Sequence, residues 1–245
     1  MKSPISWIGG KSQLKKRIIE AFPVSESYDR FIDVFGGGGS ILFAKDKHVE
    51  LEVYNDANSD LVNFFRCLKY HRQELQREIR LYLNSREMFF DSQQRLETRG
   101  FTDIQRAAMF YVLVKTGFGA SLRTFGCNKK RLNTDEFSDI ESRLDGVVIE
   151  NKDFEDLIKV YDRKKALFYC DPPYHKTERH YTVKFTESDH ERLCKVLHNI
   201  KGKFVLSYND DEYVRELYKD CRIQAVTRNN SLSSGDFKEV IITNF

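Results

Sequence analysis

Four aspartates in this sequence stand where a short apolar run gives out, each in a setting that could make its carboxylate a binding or catalytic group. Asp171 ends "ALFYCD": the five residues before it read as a buried strand, and Pro172 and Pro173 stop that strand because neither can donate to a ladder. A carboxylate at a strand's C-terminal edge with Tyr174 close by would face an aromatic, amino-bearing substrate, although the stretch judged alone is better explained as a strand ending in a rigid turn. Asp33 closes a first strand ahead of four glycines, Gly36 to Gly39, and Ser40 is expected to start a helix. Strand, glycine turn and helix make a cradle in which a cofactor lies against the main chain. The dinucleotide fingerprint G-x-G-x-x-G is not met, because Ile41 and Leu42 stand where its third glycine would fall. Asp56 follows "ELEVYN" about 20 residues after the turn, the separation of a carboxylate that receives ribose hydroxyls. Capping the next helix is its competing role, which Asn58 or Ser59 fills equally well. Asp153 and Phe154 follow "GVVIE" and offer an acceptor and a ring face to an adenine, or else a helix cap. Together Asp33, Asp56 and Asp153 would hold an adenosine-bearing cofactor, and Asp171 a second substrate.

Such residues need strands to place them. Apolar runs rich in β-branched and aromatic residues recur as "RFIDVF", "ELEVYN", "GVVIE", "ALFYC", "KFVLSY", "RIQAVT" and "EVIITNF", with helical patterns such as Leu61, Phe64, Phe65 and Leu68 between most of them. That alternation predicts an α/β fold, a mostly parallel sheet covered on both faces. Only "RNNSLSSGD" separates the last two runs, which suits an antiparallel pair at the end of the sheet. Residues 70–145 differ: helix patterns rich in Arg, Glu and Gln give way to the glycine-dotted, basic "KTGFGASLRTFGCNKKRLNTD". They read as an inserted, mostly helical unit within a host formed by residues 1–69 and 146–245.

The 245 residues suffice for a large core without staples. Five scattered cysteines form no C-x-x-C pair, which argues against a zinc ribbon or a secreted disulfide framework, so no metal is expected and a cytoplasmic setting is. No run approaches a membrane span, and "MKSPISWIGGK" has no apolar leader core. A net charge of +3, from 40 basic and 37 acidic residues, neither demands nor excludes a polyanion. The clearest basic cluster is Asn128 to Arg131 near Arg123, for which a solvated loop is the plain explanation.

"WIGGK" at Trp7 to Lys11, F-x-G-x-G-S at Phe35 to Ser40, "NDANSDL", "DPPY" followed by Tyr181, Phe185 and His190, and "SSG" before "KEVIITNF" occur in one order over nearly the whole chain. In this the sequence resembles the Dam-like, D12 class of DNA adenine-N6 methyltransferases, which use S-adenosylmethionine. The resemblance implies a Rossmann-like, seven-stranded methyltransferase sheet in which the insertion is the target-recognition domain. By matching position it assigns Trp7, Lys11, Asp33, Phe35, Gly37, Gly39, Ser40, Asp56, Asp153 and Phe154 to the cofactor, and Asp171, Pro172 and Tyr174 to the base. The insertion departs from the pattern: members that methylate GATC carry N-G-L-x-R-x-N and a later F-N-V-P, whereas here only Arg123 matches. Recognition of GATC therefore does not follow.

On this resemblance Asp171 and the Pro172 carbonyl would each accept one hydrogen of a flipped adenine's amino group, and Tyr174 would stack on the base. Lys129, Lys130 and Arg131 would contact phosphates of double-stranded DNA, Arg123 would read a guanine, and Ser233, Ser234 and Lys238 would close over the flipped nucleotide. RNA adenine and protein glutamine are the rival substrates; the glutamine enzymes typically carry Asn in place of Asp171. A non-catalytic nucleic-acid-binding protein could dispense with both sets of acceptors.

Overall fold

The computed structural model describes residues 1–47, 49–120, 122–127, 132–178, 183–229 and 236–245. Its seven-stranded sheet consists of β1 (Arg30–Asp33), β2 (Leu51–Asn55), β3 (Val147–Glu150), β4 (Ala166–Cys170), β5 (Lys203–Asn209), β6 (Arg222–Asn229) and β7 (Asp236–Thr243). The order is β3-β2-β1-β4-β5-β7-β6, and β7 alone runs antiparallel, to both β5 and β6. The last pair is thus antiparallel, as its short connection requires, but β7 inserts between β5 and β6 rather than adding outside them.

Every residue of β4 is buried, which is why its sequence does not alternate with polar residues. Side chains in a strand point alternately to the two faces. Leu167 and Tyr169 enter the cluster formed with α2 (Ser59–Tyr70), α5 (Asp103–Thr116) and α6 (Phe137–Leu144). Ala166, Phe168 and Cys170 enter the cluster on the opposite face, under α7 (Phe154–Tyr161), α8 (Glu187–His198) and α9 (Glu212–Leu217). Helices α1 (Lys15–Glu20), α3 (Arg72–Ile79) and α4 (Arg86–Leu96) complete the named elements.

Residues 70–145 contribute directly to the first cluster. Phe64 of α2 stacks on Tyr111 of α5 at 5.7 Å between centroids, and Phe110 meets Trp7 at 5.6 Å. A buried ion cluster adds a second tie: Arg143 of α6 donates to both oxygens of Glu52, at 2.6 and 2.8 Å, and Lys45 donates to Glu52 Oε1 at 2.5 Å. Burial acts to raise the Glu52 carboxyl, but the bonds from Arg143 and Lys45 outweigh it and hold it below the ordinary range.

Parallel order reverses at β1, whose neighbours are β2 and β4. The crevice outside the carboxyl ends of the strands at such a reversal is where open α/β sheets bind ligands. Among the described residues no helix is long and apolar enough to cross a membrane.

Candidate active site

Sheet register assembles the carboxylates. Asp33, the last residue of β1, pairs with Tyr54 on β2 and Tyr169 on β4. Asp56 and Asp171 each lie two residues beyond those partners, so the three converge at the β2, β1 and β4 ends. Asp33 is 1% exposed, and among the described residues its Oδ1 has no hydrogen-bond partner. Burial pushes its carboxyl well above the usual range, nearby Asp171 and Asp56 push the same way, and a bond from the Leu42 N–H and the Lys45 charge pull back. An ammonium is the chemistry that such a buried, under-partnered acceptor fits.

The glycine turn follows at once. Gly37 has φ +50° and Gly39 φ +74°, a region that side chains rarely adopt, and a Cβ at Gly37 would come within 2.9 Å of the Trp7 ring. The Gly37 peptide is held at both ends: its N–H donates to Asp56 Oδ2 at 2.9 Å, and its carbonyl accepts from the Tyr54 hydroxyl at 2.7 Å. Ser40 lies opposite Gly10, whose Cβ would fall 3.8 Å from the serine Oγ.

Ser40 does not begin a helix, contrary to the expectation from sequence; residues 37–44 form successive turns. The physical reason is at Leu42, whose N–H serves the Asp33 carboxylate and whose carbonyl accepts from Arg143 at 2.7 Å, so neither completes a helical ladder. Asp56 is not the cap of α2. Asn58 is, accepting from the Asp60 and Leu61 N–H groups, which leaves Asp56 to hold the turn. Burial raises the Asp56 carboxyl against bonds from the Asn58, Gly37 and Ala57 N–H groups.

Asp171 has a donor on each oxygen. Ser207 of β5 donates to Oδ1 at 2.9 Å, and Lys11 Nζ lies 2.7 Å from Oδ2. Lys11 is 5% exposed, also donates to the Gly9 carbonyl at 2.9 Å, and sits 4.7 Å from the centroid of the Tyr174 ring. Burial raises the Asp171 carboxyl; the Lys11 charge and hydrogen bond lower it, Glu239 raises it and Ser207 lowers it, with a net upward shift. The Tyr174 hydroxyl donates to Glu239 Oε2 at 2.5 Å, so β7 fixes the ring from behind.

The turn after Tyr174 is anchored as well. His175 Nδ1 is 3.1 Å from Asp211 Oδ1, while His190 meets Glu178 Oε1 at 2.9 Å through Nε2 and the Tyr208 hydroxyl through Nδ1. Burial lowers the His190 pKa despite the opposing pull of Glu178.

A second group lies beyond β3. Phe154 opens α7, and its ring centroid is 5.6 Å from that of Phe35 and 5.8 Å from that of Phe185. Asp153 caps that helix, accepting from the Glu155 N–H at 2.9 Å, and its other oxygen takes Arg192 Nη2 at 2.6 Å.

Arg123 is exposed on a hairpin closed by the Gly117 and Phe125 bridge, with Phe118, 67% exposed, on the opposite limb. Lys238 is exposed on β7, one residue from Glu239, and its carbonyl accepts from the Asp210 N–H. Lys129, Lys130, Arg131, Ser233, Ser234 and Tyr181 lie outside the described residues. Sequence reasoning missed Ser207, Glu239, Arg192 and Phe118; a polar residue inside an apolar strand run was the available signal for Ser207.

A family model described as "D12 class N6 adenine-specific DNA methyltransferase" matches residues 7–232. The type II methyltransferase M1.LlaDCHI of Lactococcus lactis subsp. cremoris is 30% identical, over 98% of this chain and 94% of its own length. The type II methyltransferase M.CviBI of Paramecium bursaria Chlorella virus NC1A is 26% identical, over 89% of this chain and 86% of its own. A DNA adenine methylase of Haemophilus influenzae is 23% identical, over 96% and 89% respectively.

Proposed function

The chain belongs to the D12 class N6 adenine-specific DNA methyltransferase family, and on that premise we propose that it moves a methyl group from S-adenosylmethionine to the exocyclic N6 of an adenine rotated out of duplex DNA. The observation that carries the proposal is the meeting, on neighbouring strand ends, of a buried cation acceptor at Asp33 with an amino acceptor at Asp171. S-adenosylmethionine supplies a methyl group made electrophilic by a sulfonium. Asp33 would hold its ammonium, Asp56 its ribose hydroxyls, and Asp153 and Phe154 its adenine, with Trp7, Phe35, Gly37, Gly39 and Ser40 around the turn.

Adenine N6 is a weak nucleophile because its lone pair is delocalised into the ring. Asp171 and the Pro172 carbonyl, each accepting one amino hydrogen, favour a pyramidal nitrogen with a directed lone pair. The two prolines hold that carbonyl in place beforehand, so positioning supplies much of the acceleration. Asp171, its carboxyl raised by burial, would take the proton that the nitrogen then sheds. Tyr174, tied through its hydroxyl, offers a fixed ring to the base.

A paired base cannot reach this crevice edge-on, so the nucleotide rotates out of the stack. The hairpin brings Arg123 for a base edge and Phe118 as an apolar ring for the groove, while Lys129, Lys130 and Arg131 suit phosphates. Ser233, Ser234 and Lys238 would close over the displaced nucleotide. Kinship with type II methyltransferases favours a place in restriction and modification.

The test is incubation of the protein with methyl-labelled S-adenosylmethionine and either duplex DNA or the matched RNA, followed by nucleoside digestion. N6-methyldeoxyadenosine is the expected product; label in RNA alone, or in no nucleoside, overturns the proposal. Asp56→Ala should weaken S-adenosylmethionine binding by roughly 1 to 3 kcal/mol, the penalty for unmatched hydroxyls. Unchanged affinity by calorimetry would leave Asp56 a residue that only holds Gly37. Arg123→Ala should relax discrimination at one guanine by about 1 to 3 kcal/mol in competition against single-base variants. A uniform loss across that panel would make Arg123 a phosphate contact.

A further inference from the structure

The carboxylate and ring assigned to the cofactor's adenine are already engaged by a planar cation of the chain itself. Arg192, on α8, lays its guanidinium over the Phe154 ring with Cζ 4.4 Å from the centroid, and its Nη2 reaches Asp153 Oδ2 at 2.6 Å. Phe35 and Phe185 pack against the same ring, which is left 5% exposed. A ring so enclosed offers a ligand no second face. Guanidinium and adenine are alike in what this place recognises: each is flat and delocalised, and each carries N–H donors at its edge that a carboxylate accepts. One ring face and one acceptor oxygen cannot take both.

We propose that Arg192 sets the affinity of the cofactor site by standing in the adenine's layer, so that its guanidinium must swing off Phe154 before the adenine seats. This rests on the assignment of Asp153 and Phe154 to the adenine. The geometry makes the exit easy. The arginine side chain is 40% exposed, and Asp189 Oδ1, 3.3 Å from Nη2, and Glu155 Oε2, 3.5 Å from Nε, already pair with it, so its charge stays matched when Asp153 is given up. The covering pose is also imperfect, because among the described residues the buried Nε makes no hydrogen bond. Lys11 repeats the combination of cation, carboxylate and ring at Asp171 and Tyr174, but that lysine is almost wholly buried and is bonded to the Gly9 carbonyl. Arg192, unlike Lys11, is a covering cation exposed enough to move aside.

Calorimetric titration with S-adenosylhomocysteine tests this, since that ligand carries no net charge and simple repulsion by a cation plays little part. Arg192→Ala should bind it roughly three- to tenfold more tightly than the parent, the range expected from removing one exposed ion pair and one cation–π contact. Arg192→Lys, which keeps the charge without the plane, should show part of that gain. The double variant Arg192→Ala/Asp153→Asn, compared with Arg192→Ala, tests the adenine assignment free of the arginine, because Asn still caps α7. If the added Asn leaves affinity unchanged, the adenine does not lie on Asp153, and the proposal falls with that assignment. If Asn weakens binding while Arg192→Ala binds no better than the parent, the assignment stands and the competition is wrong. A lysine variant equal to the parent, beside a tighter alanine variant, would assign the effect to charge and overturn the stacking.

Discussion

Asp171→Asn is expected to lower the methyl-transfer rate roughly a hundredfold or more while S-adenosylmethionine affinity stays within about threefold. The exchange keeps the side chain's size but replaces one acceptor oxygen by an NH2 group. If that group takes the Oδ2 position it faces the Lys11 ammonium, donor against donor; if it takes Oδ1 it faces Ser207, and the remaining oxygen stays with Lys11. In either orientation the adenine loses an anionic acceptor, and Asp33 and Asp56 are untouched. The substitution also removes the counterion of a lysine that is 5% exposed. Breaking a buried pair from one side costs roughly 3 to 5 kcal/mol where burial is complete, so a lower melting temperature is part of the expected result. The double variant Asp171→Asn/Lys11→Met separates the two effects, because it leaves neither charge behind. It should recover most of the lost thermal stability and none of the lost turnover. Single-turnover kinetics within tenfold of the parent for Asp171→Asn would remove Asp171 from the chemistry; recovery of turnover in the double variant would mean that the single variant had failed through misfolding.

The strands were legible because burial on both faces leaves a signature that does not depend on neighbours: five apolar residues in β4, stopped by two prolines. Strand order was less so. The short "RNNSLSSGD" connection demands that β6 and β7 pair antiparallel, but it says nothing of the other edge of β7, which the Val205 to Asn209 side of β5 takes. The expected helix at Ser40 failed for a reason that lies outside the local sequence: Leu42 gives its N–H to Asp33 and its carbonyl to Arg143 on a distant helix. The carboxylates could be read because strand ends are local features. Their partners could not. Ser207 reaches Asp171 only because Cys170 is in register with Leu206, and Glu239 reaches Tyr174 only because β7 has entered the sheet beside β5. Lys11 is the instructive case, since the resemblance carried by "WIGGK" assigned it to the cofactor while the folded chain sets its ammonium on the Asp171 carboxylate.

That placement makes Lys11→Met the variant that distinguishes two roles. Burial and Glu239 raise the Asp171 carboxyl, and the Lys11 ammonium does most to lower it. Without the lysine the raised value climbs further, and a protonated Asp171 is a poorer acceptor for the adenine amino group. The acid limb of the transfer rate against pH should therefore move to higher pH. Turnover should fall steeply at neutral pH and recover in part as the pH is raised. Stability gives an independent sign. Asp171 in this variant has a folded pKa above its unfolded one, so between the two values the folded chain binds more protons and stability falls as pH rises. Melting temperatures of variant and parent should thus lie nearest each other below the ordinary carboxylate pKa and separate above it. A lysine that instead served the cofactor would give a different pair of results: weaker S-adenosylmethionine binding by calorimetry, with the acid limb where the parent has it. Observing that pair would return Lys11 to the cofactor and leave Ser207 as the donor that keeps Asp171 an acceptor.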